Sequence, residues 1–471
     1  MQLSHTPAAT AAVFDDPNLI GSAGLVPILR LAETAGLAAL ADEHLSVPSD
    51  KGAHAGAKVT ALVAGMVAGA DSIEDMALLR HGGMRRVFER CYAPSTLGSF
   101  LRSFTFGHVR QLDAVASRFL TGLAEATPVL AGVSEVAVVD IDDTIVEVHG
   151  YAKQGAGFGY TKVRGLNALI ATVSTDASPP VIVAQRLRKG SANSARGAQR
   201  LVRDALKTVR TLAREQSKTG GRVLVRADSA YYGHPVIGAT VKTGAEVSVT
   251  VRLDPRVKAA ISTIADDSWT TIEYPRAVFD EESGSWISSA QVAEVPYVAF
   301  TSKKKTQVPG RLVVRRIPDA NAETKRRAGQ DGLFELWRHH AFFTTTDAET
   351  ADTVAVDKVH RAHAVIEQVH ADLKSSALAH LPSGKFTANA AWLVLAVMAF
   401  NLTRAAATLT GAPRLARATT ATIRRTLVAV PARVATSARR LTLHLPRAWP
   451  WQHAWTVLFE RVNAPPATVA T

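Results

Sequence analysis

Cysteine is nearly absent from this 471-residue chain, whose one thiol is Cys91. A single thiol cannot form an internal disulfide, and it argues against a zinc site built from thiolates. The first twenty residues contain Asp15 and Asp16 and no apolar core, so they do not resemble a signal peptide. The longest apolar run, Ala390 to Phe400, falls well short of the roughly 18 to 20 residues that span a membrane. We therefore expect a soluble intracellular protein with no membrane partner.

Acidic residues are missing from residues 373–459, and the formal net charge of the whole chain is +13. Hydrophobic residues make up 47% of the sequence, so the chain is globular rather than disordered. A solvated surface usually mixes both signs of charge, whereas a long acid-free segment rich in arginine is typical of a phosphate-backbone surface. The segment contains eleven cations: Lys374, Lys385, Arg404, Arg414, Arg417, Arg424, Arg425, Arg433, Arg439, Arg440 and Arg447. A polyanionic partner is therefore predicted.

A stretch from Val136 to Thr144 runs from apolar residues into three carboxylates, Asp140, Asp142 and Asp143. Its apolar residues, mostly valine, favour a buried strand. Because residues two apart share one face of a strand, Asp140 and Asp142 should point together and Asp143 away from them. Two like charges side by side cost free energy unless a cation or a shared proton neutralises them. The stretch therefore predicts a divalent-metal site or a proton-sharing pair.

The character of the sequence changes along the chain. Helical spacing of leucine and alanine, with basic flanks, comes first and suits either a DNA-binding or a plain structural bundle. Apolar strands and amphipathic helices follow, and then alternating segments broken by glycine and proline. We predict five segments: a helical, DNA-end-binding domain (1–130), the first part of an α/β core (134–264), a β-rich insertion (265–345), the last part of the core (346–402), and a basic helical tail (403–471). Within the last part of the core, one long helix should open at 347 and run to about 374.

Three acids fall in different predicted elements: Asp142 on the first strand, Asp228 at the end of a later strand, and Glu367 within a helix. Without the insertion, the elements run strand, strand, strand, helix, strand, helix, strand, helix, which is the order of a ribonuclease H-like core. In that α/β fold three carboxylates meet at one edge of the sheet and hold two divalent cations. Oxygen ligands suit Mg²⁺, with Mn²⁺ as a substitute. Such a pair of ions promotes in-line phosphoryl transfer, so a nuclease or strand-transfer enzyme is predicted.

The helix that carries Glu367 adds a signature. His360, His363, Glu367 and Lys374 follow one another at spacings of three, four and seven residues, so they lie close to one helical face. This pattern resembles the Tyr-Arg-Glu-Lys signature of insertion-sequence DDE transposases of the insertion-sequence-four kind. His360 stands where those proteins have Tyr, and His363 where they have Arg. Arg361 is close enough in sequence to supply the replaced cation.

Other motifs strengthen the resemblance, which covers about residues 20 to 410. Asp142-Asp143-Thr144 is similar to the end of that family's first core strand, and the run from Arg226 to Tyr232 is similar to its second-aspartate motif. The run from Gly155 to Gly165, and Arg188-Lys189-Gly190 with Asn193, resemble the branch named after insertion sequence thirteen-eighty. The order of these motifs and the Glu-x6-Lys spacing are more specific than any one motif.

The resemblance implies a function and roles for particular residues. Family members bind the inverted-repeat ends of a mobile element as dimers, cut the double-stranded DNA with two metal ions, and join the 3′ ends to target DNA. Asp142, Asp228 and Glu367 would be the catalytic metal ligands, with Asp140 as an alternative first ligand. Lys374 would contact phosphate near the cut, and His360, His363 and Arg361 would be further DNA contacts. The expected location is the bacterial cytoplasm, at the nucleoid.

Two other interpretations compete with this one. Val-Val-Asp-Ile-Asp-Asp-Thr is close to the nucleophile motif of haloacid-dehalogenase-type phosphatases, with Asp140 as nucleophile and Asp142 as acid/base. Against it, that motif normally opens its domain, no clear second acidic motif follows, and a phosphatase does not need the acid-free basic segment. The other alternative is a catalytically inactive DNA-binding relative, which the two histidine replacements suggest.

Overall fold

The chain forms a mixed sheet with helices on its faces and a helical layer at its N-terminal side. The computed structural model describes residues 11–48, 50–159, 161–217, 221–280, 285–318 and 337–464. The helices are α1 (Leu25–Thr34), α2 (Leu37–His44), α3 (Ala55–Ala68), α4 (Met84–Val87), α5 (Pro94–Arg102), α6 (Phe106–Ala126), α7 (Ala198–Gln216), α8 (His234–Val241), α9 (Pro255–Ile261), α10 (Thr353–Arg361), α11 (Val365–Lys374), α12 (Phe386–Leu409), α13 (Pro413–Ala416), α14 (Thr420–Ile423) and α15 (Gln452–Asn463). The strands are β1 (Leu19–Ile20), β2 (Val136–Glu147), β3 (Gly157–Phe158), β4 (Arg164–Ser174), β5 (Val181–Lys189), β6 (Arg222–Ala227), β7 (Glu246–Val251), β8 (Thr270–Asp280), β9 (Ser285–Ala299), β10 (Val308–Pro318), β11 (Trp337–Thr344), β12 (Ala432–Ser437) and β13 (Arg440–His444).

The central sheet has the strand order β5, β4, β2, β6, β7, β11, β10, β9, β8, and β3 pairs with the start of β4. Strands β2, β4 and β5 are antiparallel neighbours, whereas β2, β6 and β7 are parallel. Helices α7 and α8 connect β5 to β6 and β6 to β7. This arrangement is a mixed α/β sheet compatible with the predicted ribonuclease H-like core.

The alternating and Thr-rich segments after residue 265 form four antiparallel strands, as their pattern predicts. The last of them, β11, pairs antiparallel with β7, with Thr344 opposite Ser248. Because of this pairing the β-rich segment continues the core sheet instead of forming a second, separate sheet. The chain then returns to the core, where α10 and α11 lie against it.

Helix α12 fills the space between the sheet and the N-terminal helices. It contacts α3, α5, α6 and β5, and nearly all of its residues are buried. Trp392 donates a hydrogen bond from Nε1 to the carbonyl oxygen of Ala377, 2.7 Å away. By length and composition alone α12 could cross a membrane, but its whole apolar window is buried inside this fold. The longest apolar run of the sequence, Ala390 to Phe400, therefore lies within a buried helix.

Two expectations about the last third of the chain are wrong. The helix predicted to open at Asp347 starts at Thr353, with Asp352 as its N-cap, and a tight turn at Ala362–Ala364 separates α10 from α11. The tail is not wholly helical, because β12 and β13 form a hairpin that pairs with β1. Alternation of buried Ala432 and Val434 along β12 explains the strand, and the density of arginine hid this alternation.

Candidate active site

Strands β2 and β6 place Asp142 and Asp228 beside each other. The last paired residues of these parallel strands are Ile141 and Ala227, and an acid follows each of them. The side chain of Asp142 keeps 24% of its surface exposed. Asp228 is exposed and accepts a hydrogen bond at Oδ1 from the backbone N–H of Ala230, 3.0 Å away. Two carboxylates therefore share the carboxyl-terminal edge of a parallel strand pair.

The charges of these two acids are poorly compensated. The pKa of Asp142 is raised to about 7, chiefly by burial, and the negative charges of Asp228 and Asp143 contribute in the same direction. Burial also raises the pKa of Asp228, and the nearby Asp143 contributes in the same direction. His363 opposes both shifts. A bound cation would relieve the repulsion between these carboxylates.

Asp140 shares the face of Asp142, as predicted, but its surroundings are different. Its side chain is fully buried, and Arg226 donates to both carboxylate oxygens, from Nε at 2.7 Å and from a terminal nitrogen at 2.6 Å. His363 places Nδ1 2.7 Å from Oδ1 of Asp140. Arg226 also donates to the carbonyl oxygen of Val359 in α10. This closed ion pair leaves Asp140 no free oxygen for attack on a substrate, so the phosphatase interpretation is not favoured.

Asp143 points to the opposite face and lies in a buried polar network. Tyr231, in the turn just after Asp228, donates its hydroxyl to Oδ1 of Asp143 at 2.6 Å. Asn167 donates its amide to Oδ2, and a terminal nitrogen of Arg188 lies 3.1 Å from the same oxygen. Since Asp143 adjoins Asp142 and Tyr231 follows Asp228, the network connects the segments that carry Asp142 and Asp228.

Helix α11 runs beside β2. His370 places Nδ1 3.6 Å from Oδ2 of Asp142, and Nζ of Lys374 donates to Oγ1 of Thr144 at 3.3 Å. Helical spacing puts Glu367 on the same side as these two residues, three positions before His370 and seven before Lys374. Glu367 is exposed, and the described residues give it no hydrogen-bond or ion-pair partner. Its carboxylate is therefore free to turn toward the edge of the sheet.

An open groove of about 380 Å³ lies next to these acids. Asp143, Thr144 and Lys374 line it, together with Glu147 and Val163. Lys374 thus lines the same groove as Asp143, which directly follows Asp142 in the chain. A phosphate in this groove could therefore contact the ammonium group of Lys374.

The structure separates the other predicted DNA contacts from this groove. His360 is held between the hydroxyls of Ser248 at 2.8 Å and Thr250 at 3.1 Å, and its ring stacks on Phe342. Burial lowers the pKa of His360 to about 3, with the charge of His363 as the next cause, so its ring is neutral. This placement gives no support to a phosphate contact by His360.

Arg361 and His363 are also engaged within the fold. Arg361 donates from Nε to Asp357 at 2.8 Å and lies over the ring of Tyr274. The imidazole of His363 lies against the buried Asp140. Of the four predicted DNA contacts, Lys374 is the one whose side chain is exposed at the groove.

The acidic edge fits a hard cation in part. Asp142 and Asp228 supply carboxylate oxygens, the ligands that suit Mg²⁺ or Mn²⁺, and the negative charge of Asp228 beside Asp142 favours a bound cation. Among the described residues, however, no group of three or more His, Cys, Asp and Glu side chains is close enough to hold a metal ion. Glu367 is therefore alongside the acidic edge without completing a ligand set with the two aspartates.

Most cations of the acid-free segment are exposed. Nine of its eleven cations are exposed, whereas Arg424 is half-buried and Arg404 is buried. Arg404 donates to the carbonyl oxygens of Ala416 at 2.8 Å and Ala418 at 2.6 Å, and it lies 3.7 Å from Asp372. Burial lowers the pKa of Arg404. This arginine stabilises the fold, and the others leave the surface positively charged.

Sequence reasoning did not find the network around Asp143. Asn167 and Arg188 lie opposite each other on β4 and β5, and Tyr231 reaches Asp143 from a turn 88 positions away in the chain. In the sequence, Arg188 belongs to a family motif that does not indicate a partner for Asp143. An asparagine within the apolar run of β4 was an available signal, since a buried amide requires polar partners.

A model of the transposase DDE domain family, group 1, matches residues 8–466 of the chain. The match covers nearly the whole chain, so the protein belongs to this family of DDE transposases. The predicted membership is confirmed at this level, and the branch named after insertion sequence thirteen-eighty stays a prediction. A search of curated proteins found no match.

Proposed function

We propose that the protein cuts double-stranded DNA at the terminal inverted repeats of an insertion sequence and transfers the freed strands to target DNA. The family match over residues 8–466 carries this proposal. The adjacent acids Asp142 and Asp228 support it, because uncompensated carboxylates at a strand edge suit the metal-dependent phosphoryl transfer of such enzymes. Two Mg²⁺ ions, or Mn²⁺ in their place, are the proposed cofactors.

Asp142, Asp228 and Glu367 are the proposed metal ligands. Divalent cations held there would supply activation of the attacking oxygen and neutralise charge on the leaving oxygen. Asp142 is preferred to Asp140, because Arg226 and His363 already occupy the oxygens of Asp140. Glu367 would join the two aspartates when DNA binds, since its side chain is exposed and has no partner among the described residues.

The remaining residues would hold the DNA. Lys374 would contact a phosphate of the strand lying in the groove beside Thr144. The exposed cations of residues 373–459 would contact the phosphate backbone, so binding should weaken steeply with salt. We further propose a homodimer on paired element ends, located in the bacterial cytoplasm at the nucleoid.

A cleavage assay tests this function. The substrate is the DNA that flanks the gene in its own genome, and the proteins are wild type, Glu367→Gln and Glu349→Gln. Glu349 is an exposed carboxylate outside the site, so its variant controls for loss of surface charge. Wild type and Glu349→Gln should cut at the inverted-repeat ends with Mg²⁺, whereas Glu367→Gln should bind the DNA without cutting it.

Other outcomes have defined meanings. Normal cutting by Glu367→Gln would remove Glu367 from the ligand set. Specific binding of the ends by a wild type that cuts under no metal condition would indicate the inactive DNA-binding relative. Hydrolysis of a small phosphate ester that is lost in Asp140→Asn, without DNA cleavage, would contradict the transposase proposal.

A further inference from the structure

The hairpin of β12 and β13 projects from the fold. At its base β12 pairs with β1, with Ile20 opposite Ala432, and the backbone N–H of Val434 donates to the carbonyl oxygen of Asn18 at 2.8 Å. Ala432 and Val434 are buried. Residues 436–442, by contrast, are all exposed. At the inner end of this stretch, Thr436 accepts a hydrogen bond at Oγ1 from a terminal nitrogen of Arg86, 2.9 Å away. An isolated two-stranded ribbon is marginally stable in water, so the residues beyond Thr436 add little to the stability of the fold.

The tip of the hairpin has an unfavourable backbone. Ser437 pairs with Arg440, and the two residues between them, Ala438 and Arg439, have φ of +46° and +64°. Such a turn fits the twist of a hairpin, but it favours asparagine and glycine. A side chain with a Cβ costs about 1–2 kcal/mol at such a φ. Strain at an exposed tip is typical of segments that contact a ligand.

The chemistry of the tip is cationic. Arg439 and Arg440 are exposed, and the described residues give neither one a hydrogen-bond or ion-pair partner. The nearest acids along the chain are Asp372 and Glu460. Arg433, nearer the base, lies 3.5 Å from Asp16, so it is partly neutralised. The two arginines at the tip therefore present free guanidinium groups on a narrow support.

We propose that the ribbon tip, residues 436–442, enters a groove of the element-end DNA and that Arg439 and Arg440 contact base edges there. A two-stranded ribbon fits the major groove, and a guanidinium can donate two hydrogen bonds to guanine. The ribbon would thus read sequence, beyond the phosphate contacts of the other tail cations. This inference rests on the proposed function, because it takes the element end as the DNA.

A binding experiment without metal tests the ribbon. Affinities of wild type and variants are measured by fluorescence anisotropy on a labelled element-end duplex and on a scrambled duplex of equal composition. Arg439→Lys/Arg440→Lys keeps both charges but replaces the planar, rigid pair of donors of each guanidinium with a flexible ammonium group, so its preference for the element end should fall about tenfold. Arg414→Ala/Arg417→Ala removes two exposed arginines elsewhere in the same segment. It should weaken binding to both duplexes equally.

The outcomes separate the ribbon from the general function. A wild-type preference that survives in the double lysine variant would overturn base reading by the ribbon. Wild-type affinity for both duplexes in Arg439→Ala/Arg440→Ala would show that the tip does not touch DNA. A wild type without preference for the element end would overturn the proposed function and the inference together. Thermal melting of each variant, expected at the wild-type temperature, confirms that the exposed tip is dispensable for folding.

Discussion

Two neighbouring positions of the same pair of strands are built in opposite ways. In one, Asp140 lies opposite Arg226, both are buried, and the charges cancel. Two residues further along, Asp142 adjoins Asp228, both reach solvent, and like charges face each other. The first pair, Asp140 and Arg226, holds the sheet to α10. In the second pair, Asp142 and Asp228, the two negative charges repel each other, and a bound cation would relieve this repulsion. The contrast distinguishes a structural carboxylate from a candidate catalytic one, although both lie in one short sequence motif.

The largest expected effect follows from neutralising the second pair. Asp228→Asn should reduce DNA cleavage on the order of 10⁴-fold, because a lost metal ligand removes several kcal/mol of transition-state stabilisation. DNA binding should persist. The metal-free melting temperature should not fall, since one of two repelling charges is gone. Cleavage on end-labelled DNA and thermal melting are the measurements, and normal cutting by this variant would contradict the role of Asp228.

Breaking the first pair should damage stability. Arg226→Met leaves Asp140 buried without its guanidinium, which should cost about 3–5 kcal/mol. Adding Asp140→Asn should recover much of this loss. Arg222→Met is the matched control, because Arg222 lies on the same strand and pairs with Glu246 at the surface. Its cost should be about 1 kcal/mol or less by urea unfolding, and equal costs for the two arginines would refute the contrast.

Metal binding should depend on pH through the second pair. With the pKa of Asp142 raised to about 7, protons compete with a cation, so affinity for Mn²⁺ should rise up to about tenfold per pH unit until pH 7. Because the folded pKa of Asp142 exceeds the unfolded one, its contribution to metal-free stability is full below about pH 4 and is lost as pH rises through 7. Calorimetric titration and melting at several pH values test this. Asp142→Asn should remove both trends, and their persistence would assign them to other groups.

The smallest expected effect concerns the hydrogen-bond network around Asp143, which lies next to the pair of Asp142 and Asp228. Tyr231→Phe removes the hydroxyl that reaches Asp143, so it should loosen the segments carrying Asp142 and Asp228 and weaken metal affinity about 10- to 100-fold. Tyr232→Phe, which removes one hydroxyl from the adjacent tyrosine, is the control. The measured quantity is the Mn²⁺ concentration giving half-maximal cleavage. Equal behaviour of the two variants would mean that the Asp143 network only stabilises the fold.

The sequence predicted the features that depend on local pattern. The valine run of β2 and the alternation of Asp140 with Asp142 were readable, because burial and a period of two act within one strand. The sequence could not predict that Asp140 is buried in an ion pair while Asp142 stays partly exposed. This difference depends on Arg226, which is 86 positions away from Asp140. The helix break at Ala362–Ala364 was hidden because alanine is a good helix former. At this break, the hydrogen bond from Arg226 to the carbonyl oxygen of Val359 and the contact of His363 with Asp140 outweigh the helix propensity of alanine.

The burial of α12 has a consequence for how the protein is made. This helix lies near the end of the chain, yet it supplies the packing surface for α3, α5 and α6. During synthesis, the apolar faces of the N-terminal helices therefore stay uncovered until more than 250 further residues have been made. A chain that stops before Phe386 should remain a substrate for chaperones and proteases, whatever the state of its acidic edge. Chains that end before this helix should therefore accumulate poorly, whereas chains that include it can cover these apolar faces.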